Sequence, residues 1–112
     1  MQFDAITTLN AAAFDAMVVQ ANGPVAVEFM SYGCAYCRAL EPVLQRAAEV
    51  VQAEEKIFRV NIAVEPGLAE SYDIHGTPTL VLFRDGSETG RIEGPPPVLA
   101  DILAYVTQPL QA

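Results

Sequence analysis

The chain has no tryptophan, one histidine, two cysteines, and only six lysine and arginine residues against fourteen aspartates and glutamates. Each shortage excludes something. With a net charge of −8 and its few cations dispersed, the protein lacks the clustered Lys and Arg that displace counterions from phosphates, so nucleic acid is not an expected partner. The acidic excess reads as a solvated surface. Two cysteines are too few for a disulfide-dense secreted scaffold. Together with the lone histidine they also fall short of the ligand set of a structural zinc site, so no metal is expected. Glu28, Arg59 or a turn interrupts every apolar run before it reaches the roughly 18 residues of a membrane span, and no membrane association is expected. The start, Met1-Gln2-Phe3-Asp4, shows no basic stretch followed by an apolar core and a cleavage site. The expectation is a cytoplasmic protein, or a periplasmic one if the sequence is that of a mature form.

What is present suits one compact domain over residues 1–112, because the chain is about half apolar and of single-domain length. After a short apolar start, Asn10 can cap a helix whose Phe14, Met17, Val18 and Ala21 recur at helical spacing, with Asn22-Gly23-Pro24 as the stop. Val25 to Met30 is a nearly continuous apolar run, the pattern of a strand buried on both faces. From Cys34 onward, Leu40, Val43, Leu44, Ala47, Ala48 and Val51 line one helical face. Arg38, Glu41, Gln45, Arg46, Glu49 and Gln52 occupy much of the rest. Pro42 lies inside this helix and should bend it.

The second half reads as a strand at Lys56 to Ile62, a short helix at Pro66 to Tyr72, and a strand at Thr79 to Arg84. An Asp85-Gly86 hairpin turn and a returning strand at Glu88 to Glu93 follow. Gly94-Pro95-Pro96-Pro97 breaks the chain before a last helix marked by Val98, Leu99, Ile102, Leu103 and Val106 and stopped by Pro109. The order is βαβαβαββα, an α/β fold with one mixed central sheet and helices on both faces. The cysteines then fall at the C-terminal end of a central strand, where sites of open α/β sheets gather.

Cys34 and Cys37 form a C-x-x-C pair at a helix start in Gly33-Cys34-Ala35-Tyr36-Cys37. Thiol–disulfide exchange needs a thiolate to attack and a second sulfur near enough to release the mixed disulfide, and this placement supplies both. Free backbone amides and the helix dipole favour the Cys34 thiolate, which makes Cys34 the expected nucleophile and Cys37 the resolving thiol. Other uses of such a pair are a static disulfide or half of a metal site shared between two chains.

At nearly full length the sequence resembles the thioredoxin family. The resemblance is carried by Val25-Ala26-Val27-Glu28-Phe29 before Cys34-Ala35-Tyr36-Cys37-Arg38, by Pro42, by Arg59-Val60-Asn61-Ile62, by Gly76-Thr77-Pro78-Thr79-Leu80, and by Phe83-Arg84-Asp85-Gly86. It implies a thioredoxin fold, a cis Pro78 beside the cysteines, and Thr77 offering backbone groups to an extended substrate segment. It also aligns Glu28 with the family's buried acid, usually Asp, which assists proton transfer at the resolving cysteine. Arg59 stands at the usual lysine position as the candidate partner of Glu28. On physical grounds, a carboxylate among Val25, Val27 and Phe29 needs a partner or a proton if it is buried. A wet strand face, or a purely structural Glu28–Arg59 pair, is the other reading.

Where the family carries Trp before the first cysteine and Gly-Pro between the two, this chain has Gly33 and Ala35-Tyr36. The exchange relaxes the helix start, and Tyr36 supplies either an aromatic rim for substrate or simple cover for apolar surface. His75, just before Gly76-Thr77-Pro78, is a secondary candidate for adjusting the electrostatics of the thiols. The expected activity is reduction of protein disulfides by a monomer. It uses no cofactor beyond the redox-active Cys34–Cys37 couple, and a thioredoxin-type reductase serves as electron donor. A disulfide oxidase or isomerase, and a redox-inactive binding module on the same fold, are the alternatives.

Overall fold

In the computed structural model, which describes residues 5–51 and 56–107, the expected order of elements is present. It runs β1 (Thr7–Thr8), α1 (Ala11–Phe14) continuing into a π-helical turn (Asp15–Val19), β2 (Pro24–Met30), α2 (Ala35–Val51), β3 (Lys56–Asn61), α3 (Pro66–Ser71), β4 (Thr79–Arg84), β5 (Ser87–Glu93) and α4 (Leu99–Val106). Gln52 of the expected polar face and the Pro109 stop lie outside the described residues. The strands make one five-stranded mixed sheet in the order β1-β3-β2-β4-β5. β3 runs parallel to both β1 and β2, β4 antiparallel to β2, and β5 antiparallel to β4.

Alternation along the strands divides the apolar residues between two cores, because successive side chains point to opposite faces. Val25, Val27 and Phe29 of β2, Phe58 and Val60 of β3, and Val81 and Phe83 of β4 pack with Phe14, Val18 and the partly buried Tyr72. On that face Tyr72 lies 5.5 Å from both the Phe14 and the Phe83 ring centroids. On the other face Ala26, Ile57, Leu80 and Leu82 pack under Leu40, Leu44 and Ala47 of α2 and Ile102 and Val106 of α4. By the same parity Glu28 and Arg59 belong to the α2 face, and they are paired in register across β2 and β3.

The first helix departs from the simple α pattern. Asn10 caps it, its side chain accepting the Ala13 N–H at 2.8 Å. The following turn winds wider, with the Gln20 N–H donating to the Asp15 carbonyl at 3.0 Å, and the Gln20 side-chain amide donates to the Asp15 carboxylate. The extra residue in the turn rotates Met17 off the stripe it would share with Phe14 and Val18 in an α-helix. Met17, an expected core residue, is accordingly 41% exposed.

The hairpin between β4 and β5 has Asp85 at φ 51° and Gly86 at φ 84°, the left-handed pair of a type I′ turn. The Asp85 side chain also accepts the Gly23 N–H at 2.7 Å. Beyond the turn the pairing slips by one residue between Leu82 and Phe83, leaving Thr89 as a bulge. Gly86 is required for a second reason: a Cβ there would stand 2.1 Å from the Val19 carbonyl oxygen at the end of the π turn. Gly86→Ala is therefore expected to destabilise the protein by about 1 kcal/mol or more from the left-handed backbone alone. The clash adds to this, and the loss is read as a lower urea midpoint at unchanged m-value.

Candidate active site

The loop from Ser31 to Gly33 carries the chain from the end of β2 into α2. The Arg38 guanidinium folds back to donate to the Tyr32 carbonyl at 2.9 Å, and the Cys34 N–H donates to the Ser31 carbonyl at 3.1 Å. Cys34 stands immediately before α2 and acts as its cap. Its carbonyl accepts the Arg38 N–H at 3.1 Å, and its Sγ accepts the Cys37 N–H, also at 3.1 Å. The sulfur thus takes the place that the Asn10 side-chain oxygen takes on α1, satisfying a backbone donor that the helix leaves free.

Both cysteines are free thiols, and their surroundings differ: Cys34 is partly exposed and Cys37 buried. Desolvation alone would push Cys34 up. Hydrogen bonds from the Cys37 and Thr77 side chains and from the Cys37 and Tyr36 backbone outweigh it and hold the thiol below its ordinary 9.0. Cys37 moves the other way. Burial, reinforced by the hydrogen bond with Cys34, pushes it up to about 11. One thiol is therefore prepared to ionise and its neighbour to keep its proton.

The Thr77–Pro78 peptide bond is cis, as the resemblance implies. It brings the Thr77 carbonyl to 3.5 Å from Cys34 Sγ. The turn is held on both sides: the Thr79 hydroxyl donates to the Gly76 carbonyl at 2.7 Å, and the Gly94 N–H to the Pro78 carbonyl at 2.8 Å. Arg91 of β5 pins the approach to this turn by donating to the Tyr72 and Asp73 carbonyls at 2.7 and 3.2 Å. Gly33, Ala35 and Tyr36 are exposed beside Cys34. The Tyr36 hydroxyl reaches across to the Gly94 carbonyl at 3.3 Å, so the ring is fixed over the same turn while remaining 45% exposed. His75 is also exposed, and no hydrogen bond or ion pair joins its side chain to the cysteines among the described residues.

On the α2 face of the sheet lies a buried acid. Glu28 is fully buried, and neither carboxylate oxygen accepts a hydrogen bond among the described residues. The wet-face reading of this residue is excluded. Burial, the nearby Glu41 carboxylate and the Cys34 thiol push Glu28 from its ordinary 4.5 to about 8, against the opposing pull of Arg59.

The expected Glu28–Arg59 pair is loose. Arg59 Nε stands 3.9 Å from Glu28 Oε1, whereas Arg59 Nη2 lies 2.6 Å from Glu41 Oε2. The guanidinium also donates to the Ile6 carbonyl and the Thr8 hydroxyl, each at 3.2 Å. A cavity of about 860 Å³ lined by Met30, Cys37, Arg38, Glu41 and Arg59 opens along this side of α2.

Glu41 is the site residue that patterning along the chain left on a solvated helix face. Its signal was its spacing: four residues after Cys37 it lies on the same side of α2 as the buried thiol. Among the described residues no group of three or more His, Cys, Asp or Glu side chains is arranged to hold a metal ion, and no helix is long and apolar enough to cross a membrane.

Comparison with known proteins places the chain in a family. The Thioredoxin family model matches residues 5–108. The thioredoxin of Pseudomonas aeruginosa is 34% identical over 82 residues, covering 73% of this chain and 76% of its own length. Thioredoxin 1 of Synechococcus elongatus is 33% identical over 86 residues, covering 77% and 80%. A probable protein disulfide-isomerase A6 of Medicago sativa is 30% identical over 105 residues, and the match spans 92% of this chain but only 29% of that protein. In fold, a mutant thioredoxin from Halobacterium salinarum NRC-1 superposes with a TM-score of 0.81 at 24% identity, covering 97% of this chain and 95% of that one. The chain belongs to the thioredoxin family of thiol–disulfide oxidoreductases.

Proposed function

We propose that this protein reduces protein disulfides by dithiol–disulfide exchange, with Cys34 as nucleophile and Cys37 as resolving thiol. The observation that carries this reading is the opposed treatment of the two sulfurs: Cys34 caps α2 and is held down, and Cys37 is buried and pushed up to about 11. The Cys34 thiolate attacks one sulfur of an exposed disulfide. The substrate S–S bond breaks, its second sulfur leaves as a thiolate and takes a proton from water, and a mixed disulfide forms. Cys37 then loses its proton and attacks Cys34 Sγ, expelling the other substrate sulfur. Two electrons have passed to the substrate, and a Cys34–Cys37 disulfide remains.

Thr77 and the cis Pro78, with Gly33, Ala35 and Tyr36 around Cys34, form the surface on which an extended substrate segment lies. The couple carries its own electrons and needs no added cofactor. As a monomer in the cytoplasm, the protein would be returned to the dithiol by a thioredoxin-type reductase. The matches to disulfide isomerases and the Ala35-Tyr36 pair support a second direction, oxidation or isomerisation. A redox titration against glutathione separates the two, since a reductase requires a potential well below that of the glutathione couple.

In this reading Glu28 receives the Cys37 proton through water. Conversion of the Cys34 thiolate to a mixed disulfide removes one of the charges that raise Glu28, so the acid ionises more readily at the step that needs a base.

Cys34→Ser should abolish turnover of a small protein disulfide, and Cys37→Ser should accumulate a covalent substrate adduct visible by mass spectrometry. Full activity in both variants would defeat the assignment. Glu28→Gln should slow release of the mixed disulfide on the order of 10²-fold and erase the inflection that the parent shows at or below about pH 8.

The same acid affects stability. A carboxyl at about 8 in the folded protein and near 4.5 when unfolded binds more protons folded than unfolded between those values. Its stabilising effect is full below pH 4.5 and is lost as pH rises to about 8. Glu28→Gln should therefore flatten the decline and leave the variant more stable than the parent above this window, by about 1 kcal/mol or more in urea titrations.

A further inference from the structure

The cluster between β2, β3 and α2 holds two carboxylates and one guanidinium, and of the two the guanidinium is closer to the carboxylate that is not buried. Glu41 side-chain exposure is 31%, and its Oε2 takes Arg59 Nη2 at 2.6 Å. The fully buried Glu28 has the same guanidinium at 3.9 Å. Glu41 is itself held in place, because the Gln45 amide donates to the same Oε2 at 2.9 Å and Gln45 Oε1 accepts the Ala5 N–H at 2.8 Å. Arg59 is drawn the same way by the Ile6 carbonyl and the Thr8 hydroxyl on the β1 side. Bonds from α2 and from the β1 side thus hold the cation toward Glu41.

We propose that Glu41 is a positioning residue for Glu28: it takes the Arg59 guanidinium and sets a second carboxylate beside the buried acid, so that Glu28 stays protonated in the resting dithiol protein. Two anions in a poorly solvated site cannot both ionise against one cation, and the proton settles on the carboxyl with less access to water. The charged and titratable groups facing Glu28 among the described residues agree with this. From α2 comes Glu41, from the residue just before it Cys34, from β3 comes Arg59, and β4 presents the apolar Leu80 in register.

The cavity along α2 reaches Cys37, Glu41 and Arg59 together, which gives the cluster a route to solvent protons. Glu41 therefore sets the pH at which Glu28 becomes a base. The inference rests on the proposed role of Glu28 only for its kinetic consequence, since the coupling of Glu41 to Glu28 can be read without turnover.

The test is a carbon-13 NMR titration of the Glu28 carboxyl in the full reduced chain, in the parent and in Glu41→Gln, Glu41→Ala and Glu49→Gln. Glu41→Gln removes the second anion, and Glu41→Ala also releases Arg59 to approach Glu28. Each should move the Glu28 midpoint down by about 1 pH unit or more. Glu49 lies on the same helix and borders the same cavity, and among the described residues it forms no ion pair with Arg59. Its loss should leave the midpoint in place, which separates local positioning from a change in net charge. An unmoved midpoint in both Glu41 variants, or an equal shift in Glu49→Gln, overturns the proposal.

The pH profile of mixed-disulfide release, measured on the same variants, should move to lower pH with the carboxyl. A carboxyl shift with a stationary release profile supports the positioning role of Glu41 and instead refutes proton transfer through Glu28.

Discussion

A single hydrogen bond, from the Cys37 N–H to Cys34 Sγ, joins the fold to its chemistry. Every helix start leaves backbone donors without partners, and most chains satisfy them with a side-chain oxygen. Here a sulfur does so, and the interaction that begins α2 is also one that favours a negative charge on that sulfur. Capping cannot be separated from activation at this position. A side chain that capped better through oxygen would end the redox chemistry, and one that did not cap would leave donors beside the site unsatisfied.

The same helix creates the second constraint. α2 covers the face of the sheet to which strand parity assigns Ala26, Leu80 and Leu82 and also Glu28 and Arg59. Charged residues on that face are enclosed as soon as the helix docks. A core built only for stability would carry apolar side chains in register at these two positions, because breaking or loosening a buried pair costs more than the pair returns. The acid stands where burial raises its affinity for a proton.

Much of the architecture was legible along the chain. Continuous apolar runs marked the buried strands, Asp85-Gly86 marked the hairpin, and helical spacing from Leu40 to Val51 marked α2. The cysteine pair at a strand-to-helix junction was equally plain. Met17 was misplaced because a widened turn changes the angular spacing of residues, and nothing in a run of apolar residues distinguishes a π turn from an α turn. The cis bond at Pro78 was legible only through family likeness, since proline alone favours trans. Glu41 was overlooked for a different reason. Its sequence neighbours are those of a solvated helix face, and only the lateral packing of α2 on β3 reveals that Arg59 reaches it.

The contact of Gly86 with the Val19 carbonyl lies at the end of the sheet remote from the cysteines. There the hairpin and the widened turn of the first helix interlock, leaving no room for a methyl group. The two layers are thereby clasped far from the sulfur atoms. Residues around the cysteines can consequently vary, as Ala35 and Tyr36 at the start of α2 illustrate, without loosening the clasp that keeps the two layers in register.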